Sequence, residues 1–119
     1  MTLEIYQFPA RSDNYGVLVH DPETGMTASI DAPEESAVKK ALDARGWRLT
    51  HIFTTHHHND HTEGNAALKA ETGCEIIGPR GEAEKIHSLD KQVGGGDSFR
   101  FGNYDVQVLD TPGHTLGHI

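Results

Sequence analysis

The chain has 119 residues, and this length predicts one domain or a part of a larger one. Its formal net charge of -8 argues against sequence-independent binding to nucleic acid, which requires a cationic surface. No apolar run approaches the roughly 18 residues that a membrane helix needs, and the first residues lack a signal-peptide pattern. These features and the single cysteine, Cys74, predict a cytoplasmic protein.

The first part of the chain predicts three strands and a helix. Turn-forming residues separate "LEIYQF", "YGVLVHD" and "MTASID", which is typical of an antiparallel meander. The helix is predicted over residues 31–46, because Pro33 suits a first turn and Gly46 suits a helix end. The apolar stripe of this helix would consist of Val38, Ala41 and Leu42.

The second part alternates strands and short helices. "THIFTT" predicts a strand, and a helix should run from about Thr62, its candidate N-cap, to Thr72, before Gly73. "CEIIG" predicts a strand that is followed by a short helical stretch over residues 81–86. "SFRF" and "DVQVLD", joined by a "GN" turn, predict a hairpin. The order of elements predicts an α/β fold with mixed strand directions.

A histidine cluster follows the predicted strand "THIFTT". It reads His56-x-His58-x-Asp60-His61, and imidazole and carboxylate are common zinc ligands. Alternate side chains of an extended segment share a face, so His56 and His58 can point to one metal ion. Asp60 and His61 lie beyond a turn and could reach a second ion about 3.5–4 Å away. We therefore predict a metal site rather than a solvated polar loop, which is the usual explanation for a lone histidine.

A further ligand is expected from "DTPGHTLGH", residues 110–118. His114 follows the strand "DVQVLD", at the kind of strand end where α/β sheets place their sites. His118 is four residues later, but the surrounding glycines and proline disfavour a helix, so we predict His114 as the ligand and His118 as a neighbour. His57 should point away from His56 and His58. Asp31 is expected to cap or bond a loop, with orientation of a ligand as the alternative.

The segments "THHHNDHTEGN" and "TPGHTLGHI" resemble the metallo-β-lactamase fold superfamily. Within it, they and the opening "DNYGVLVHD" are similar to the hydroxyacylglutathione hydrolase (glyoxalase II) family. The resemblance covers residues 1–119 but only about the N-terminal half of the family's domain. It implies a four-layer αββα sandwich, of which this chain would form the N-terminal half, with two metal ions at the edge between the sheets.

The resemblance also implies roles for individual residues. His56, His58 and His114 would bind the first divalent metal ion, and Asp60 and His61 the second. Zinc is the expected metal, with iron or manganese as alternatives. The implied reaction is hydrolysis of a glutathione thioester such as S-lactoylglutathione, a step of methylglyoxal detoxification. Asp60 would also accept a hydrogen bond from the attacking water-derived nucleophile, so it is the predicted catalytic residue.

Two other interpretations remain at this point. One is a persulfide dioxygenase on the same fold, in which two histidines and an aspartate hold one iron ion. The five predicted ligands favour a binuclear hydrolase over this enzyme. The other is a non-catalytic metal-binding fragment, because the family's further ligands and its basic glutathione-binding region are not found in these residues. The sequence does not specify the oligomeric state.

Overall fold

A computed structural model describes residues 3–10, 14–58, 62–86, 89–113, 115 and 117–119. Two helices, α1 (Glu35–Arg45) and α2 (Asn65–Thr72), and a 3₁₀ helix (Arg80–Lys85) accompany eight strands in this part of the chain. The strands are β1 (Glu4–Ala10), β2 (Asn14–His20), β3 (Thr27–Ile30), β4 (His51–Phe53), β5 (Glu75–Pro79), β6 (Lys91–Val93), β7 (Ser98–Phe101) and β8 (Tyr104–Gln107). None of the described helices has the length and apolar character that crossing a membrane requires.

The first six strands form one mixed sheet in the order β1-β2-β3-β4-β5-β6. β1, β2 and β3 pair antiparallel, which confirms the predicted meander, and β3 to β6 pair parallel. Because the last four strands run in the same direction, the loops that follow β3, β4 and β5 leave the sheet at the same edge. β7 and β8 form the predicted hairpin as a separate two-stranded sheet.

Side chains alternate between the two faces of the large sheet. Ile52 and Ile76 point toward α1 and α2 and belong to the larger core cluster. The next residue of each strand, Phe53 or Ile77, packs toward the β7–β8 hairpin in a second cluster. A strand buried on both faces reads as a continuous apolar run, as "HIF" and "EIIG" do. The described residues therefore form helix, sheet and hairpin layers, and the α/β prediction is confirmed.

The helix ends were predicted more accurately than the helix starts. Gly46 and Gly73 both follow their helices in the left-handed conformation, with φ of 70° at each, as predicted. The start of α1 was wrong by four residues, because Asp31 has a φ of 62° and cannot belong to a right-handed helix. Thr62 is not the N-cap of α2. Gly64 occupies that position, and the Thr62 hydroxyl donates to the carbonyl of His58.

One strand was missed in the sequence. β6, residues 91–93, pairs with β5 at the edge of the sheet, in a segment for which no helix or strand was predicted. Its three residues are too few to show a period-2 pattern, so only pairing with β5 defines them as a strand. The apolar stripe of α1 is buried as predicted, at Val38, Ala41 and Leu42.

Candidate metal centre

The carboxyl ends of three neighbouring parallel strands converge at one edge of the sheet. Asp31 directly follows β3, the segment 54–58 follows β4, and Glu82 lies in the 3₁₀ helix that follows β5. All three belong to different local segments, and the parallel pairing of β3, β4 and β5 brings them together. This edge therefore carries both the histidines predicted from the sequence and two carboxylates.

His56 is buried, with 2% of its surface exposed, and a hydroxyl group contacts its ring. The Thr55 hydroxyl donates to Oδ2 of Asp31 at 2.8 Å and lies 2.8 Å from Nδ1 of His56. A hydroxyl has one hydrogen, and the carboxylate can only accept. The Thr55 oxygen therefore accepts from Nδ1–H of His56. In this tautomer, Nε2 of His56 carries a lone pair, as a metal-ligating nitrogen must.

His58 lies beside His56. The two ring centroids are 4.9 Å apart and the ring planes are inclined at 77°. His58 is partly exposed, whereas His56 is buried. The rings of His57 and His58 are also neighbours, with centroids 5.0 Å apart, so the three imidazoles form one cluster.

Asp31 supports this loop rather than capping α1. Its Oδ1 accepts from the backbone N–H of Thr55 at 2.7 Å, and its Oδ2 accepts from the Thr55 hydroxyl. The alternative role considered for this residue was orientation of a ligand. It agrees with these contacts, because the Thr55 hydroxyl that is bonded to Asp31 also contacts Nδ1 of His56. The positive φ of Asp31 places its carboxylate in this position.

His57 points to a different partner. Its Nδ1 lies 2.8 Å from Oε1 of Glu82, and its backbone N–H donates to the same oxygen at 2.9 Å. Oε2 of Glu82 accepts from the backbone N–H of Gly117 at 3.0 Å. Burial raises the pKa of Glu82, but the nearby Thr115 hydroxyl and the hydrogen bonds from His57 and Gly117 outweigh it and lower the pKa to about 2.

Sequence reasoning missed Glu82. Its 3₁₀ helix was predicted, yet nothing in "GPRGEAEK" separates this glutamate from the exposed Glu84 two residues later. The available signal was positional, because an acidic residue shortly after a buried parallel strand lies at the ligand-bearing edge.

The segment after residue 110 reaches the same edge. The ring of His118 stacks on that of His56, with centroids 4.6 Å apart and planes inclined at 25°. Nδ1 of His118 lies 2.9 Å from the Thr111 hydroxyl, and the backbone N–H of Ile119 donates to the Thr55 carbonyl at 3.1 Å. The chain thus returns to the histidine loop more than fifty residues later.

Three predicted ligands, Asp60, His61 and His114, lie outside the described residues. Within the described ranges, no group of three His, Cys, Asp or Glu side chains is arranged to hold a metal ion. The ligand assignments therefore stay predictions. The donor chemistry of the described residues fits a divalent metal ion, because the tautomer imposed on His56 directs a lone pair, not a hydrogen, from Nε2.

The fold is that of an α/β protein, and several histidine side chains lie close together at the sheet edge where its parallel strands end. A family model described as the metallo-beta-lactamase superfamily matches residues 23–119. The chain belongs to this superfamily, and membership implies divalent metal ions.

The sequence is also similar to individual proteins. It is 61% identical over 117 residues to hydroxyacylglutathione hydrolase of Rhizobium johnstonii, covering 98% of this chain and 46% of that protein. It is 59% identical over 117 residues to the enzyme of the same name from Brucella anthropi, covering 98% of this chain and 45% of that protein. The chain therefore spans about half the length of these curated relatives.

A solved structure shares the fold. The crystal structure of ETHE1 from Myxococcus xanthus matches with a TM-score of 0.81 and 32% identity, covering 99% of this chain and 52% of that one. The predicted metallo-β-lactamase type of fold is confirmed by this match and by the family model. The chain presents a part of that architecture, as the resemblance predicted.

Proposed function

We propose that this chain contributes the metal-binding half of a hydroxyacylglutathione hydrolase. The observation that carries the proposal is the position of the Thr55 hydroxyl between Oδ2 of Asp31 and Nδ1 of His56, from which it follows that Nδ1 carries the hydrogen and Nε2 can ligate a metal ion. The 61% identity to the Rhizobium johnstonii enzyme supports the choice of substrate class. The substrate would be an S-(2-hydroxyacyl)glutathione, such as S-lactoylglutathione.

The proposed ligands divide into two groups. His56, His58 and His114 would hold one metal ion, and Asp60 and His61 a second, with zinc as the expected metal. When bound, such ions lower the pKa of coordinated water to about 7 and stabilise negative charge on an oxyanion. The reaction adds water across the thioester C–S bond and gives glutathione thiol and a 2-hydroxy acid.

The protein's own residues would orient the ligands and hold a proton. Asp31 and Thr55 keep the hydrogen of His56 on Nδ1. Asp60 is proposed to accept a hydrogen bond from the attacking nucleophile. Cys74 is a poor candidate for a nucleophile, because it is 2% exposed and burial raises the pKa of its thiol.

The test is the substitution His58→Ala, with His20→Ala as its control. His20 is also partly buried, but its ring stacks on Trp47, away from the candidate centre. Because the chain covers 46% of the Rhizobium johnstonii enzyme, activity is measured on the chain and on a fusion that adds the remaining portion of that enzyme. Metal content is measured by mass spectrometry, and thioester hydrolysis by thiol release.

We expect His58→Ala to lose both bound metal and hydrolysis, and His20→Ala to keep both. Retention of metal and hydrolysis by His58→Ala would contradict the ligand assignment. Oxygen uptake with glutathione persulfide, without thioester hydrolysis, would indicate the dioxygenase instead. Stoichiometric metal without either activity in the fusion would indicate a non-catalytic metal-binding module.

A further inference from the structure

One buried carboxylate connects the histidine loop with the segment near the end of the chain. Glu82 is 5% exposed and accepts from the backbone N–H and the ring of His57 through Oε1. Its Oε2 accepts from the backbone N–H of Gly117, 35 residues away in sequence. Both carboxylate oxygens are therefore used, and each one bonds a different loop.

The hydrogen bond from the His57 backbone to Glu82 lies within the histidine loop. The backbone N–H of residue 57 belongs to the peptide group that joins His56 to His57, so a bond to it restrains the backbone directly after His56 and two bonds before the peptide group that leads to His58. The ring of His57 makes a second bond to the same oxygen, which fixes the side chain of the residue between His56 and His58 in sequence. Glu82 thus acts on the ligand loop without contacting His56 or His58 through any bond described above.

The contact between Glu82 and Gly117 is also close. A Cβ atom added to Gly117 would lie 2.6 Å from Cγ of Glu82 and 3.1 Å from the carbonyl carbon of Gly81. The backbone at residue 117 therefore approaches the 3₁₀ helix too closely for any side chain. This contact holds the segment that follows the predicted ligand His114 against the same carboxylate.

We propose that Glu82 is a positioning residue of the metal centre, which holds the loop of residues 56–58 and the backbone of Gly117 in fixed register. This inference rests on the proposed metal-dependent function. It assigns a role to a residue that ligates no metal, and it explains why Gly117 lacks a side chain. Loss of such supporting contacts typically weakens metal binding by 10- to 100-fold.

The experiment compares Glu82→Gln with Glu84→Gln in the 119-residue chain and in the fusion that adds the remaining portion of the Rhizobium johnstonii enzyme. Both glutamates belong to the 3₁₀ helix, but Glu84 is exposed. Glutamine keeps the size of Glu82 but presents one NH₂ group to a donor. The dissociation constant for zinc is measured by competition with a chromophoric chelator, and the visible absorption spectrum is recorded after loading with cobalt.

Gly117→Ala is a second variant, which displaces the carboxylate and leaves its charge intact. We expect both Glu82→Gln and Gly117→Ala to raise the dissociation constant by roughly 10- to 100-fold and to alter the cobalt spectrum. Glu84→Gln should match the unsubstituted chain within about twofold. A purely structural role would lower the melting temperature equally with and without zinc, and would leave the dissociation constant of folded protein unchanged.

The outcomes separate this inference from the function on which it rests. If neither the unsubstituted chain nor the unsubstituted fusion binds zinc, both the metal-dependent function and the role of Glu82 are overturned. If either of them binds zinc, and Glu82→Gln and Gly117→Ala bind as tightly as Glu84→Gln, only the role of Glu82 is overturned. If Glu82→Gln does not fold, the dissociation constant of Gly117→Ala decides by the same criterion.

Discussion

The carboxylate of Asp31 and the imidazole of His56 are joined through a single hydroxyl group, that of Thr55. The hydroxyl donates to Asp31 and accepts from Nδ1–H of His56, with both distances at 2.8 Å. The two partners are 25 positions apart in sequence, and the parallel pairing of β3 with β4 brings them together. The direction of this one hydroxyl therefore decides which nitrogen of His56 can bind a metal ion.

Asp31→Asn should reverse the direction in which the Thr55 hydroxyl donates its hydrogen. Asparagine tolerates the left-handed backbone at this position, but it has one acceptor oxygen where two groups of Thr55 donate. If its NH₂ group faces the hydroxyl, the hydroxyl turns to donate to Nδ1, and the hydrogen of His56 moves to Nε2. We expect zinc affinity to fall by roughly 10- to 100-fold.

Nitrogen NMR of the His56 ring would report the tautomer directly. The exposed Asp43 in α1 offers the control Asp43→Asn, which should keep the tautomer and the affinity. An unchanged Nδ1–H tautomer in Asp31→Asn would show that Asp31 does not control the ring.

Thr55→Val should weaken metal binding, because valine has the shape of threonine but cannot accept from Nδ1–H of His56. Leaving polar groups unsatisfied inside the protein also costs about 1–3 kcal/mol of unfolding free energy. The matched control is Thr50→Val, since the Thr50 hydroxyl lies 2.8 Å from Nδ1 of His51 in the same arrangement.

Chelator competition and urea unfolding would be measured for both threonine variants. Both variants should lose stability, but only Thr55→Val should lose zinc affinity. Equal affinities in the two variants would mean that the hydroxyl contact has no influence on the metal centre.

The acid stability of the chain should depend on Glu82. Its pKa is about 2 in the folded protein and ordinarily 4.5, so its contribution is complete above pH 4.5 and is lost as the pH falls toward 2. A shift of this size corresponds to about 3 kcal/mol. Urea unfolding of the metal-free chain should show Glu82→Gln less stable than the unsubstituted chain at pH 7, with the difference shrinking below pH 4.5.

Glu84→Gln provides the baseline for this comparison, and its stability should follow that of the unsubstituted chain at every pH. A stability difference for Glu82→Gln that stays constant between pH 7 and pH 3 would contradict the lowered pKa.

Gly64→Ala should destabilise the packing of α2 on α1. The added methyl group would lie 3.0 Å from the backbone nitrogen of Glu35 and 3.2 Å from the carbonyl oxygen of Ala32. Both are backbone atoms, and the N–H of Gly64 already donates to that carbonyl at 2.9 Å. Overpacking of this kind costs about 1–3 kcal/mol.

Gly73→Ala isolates the cost of conformation, because Gly73 has a φ of 70° and its added Cβ would meet nothing within 4 Å. Both variants should lower the midpoint of urea unfolding. Zinc affinity should fall only for Gly64→Ala, since the start of α2 follows the ligand loop closely in the chain. An unchanged midpoint of urea unfolding in Gly64→Ala would show that the two helices can separate without loss of stability.

The sequence by itself determined the parts of this protein that follow local rules. Alternating apolar residues defined the first strands, and the "GN" pair defined the hairpin. Gly46 and Gly73 ended their helices because only glycine adopts the left-handed conformation without strain. The prediction that His56 and His58 act as a pair came from the two-residue period of an extended segment, and their ring centroids lie 4.9 Å apart.

Only the tertiary structure decided what surrounds those histidines. From the sequence, Asp31 could be a helix cap and Glu82 was one acidic residue among several. Parallel pairing of the strands brings them into contact with Thr55 and His57, which are 24 and 25 positions away in sequence. Three-residue strands such as β4 and β6 are likewise defined by pairing with neighbours. The physical reason is that hydrogen bonds between distant segments depend on how the sheet assembles, which no local pattern of residues encodes.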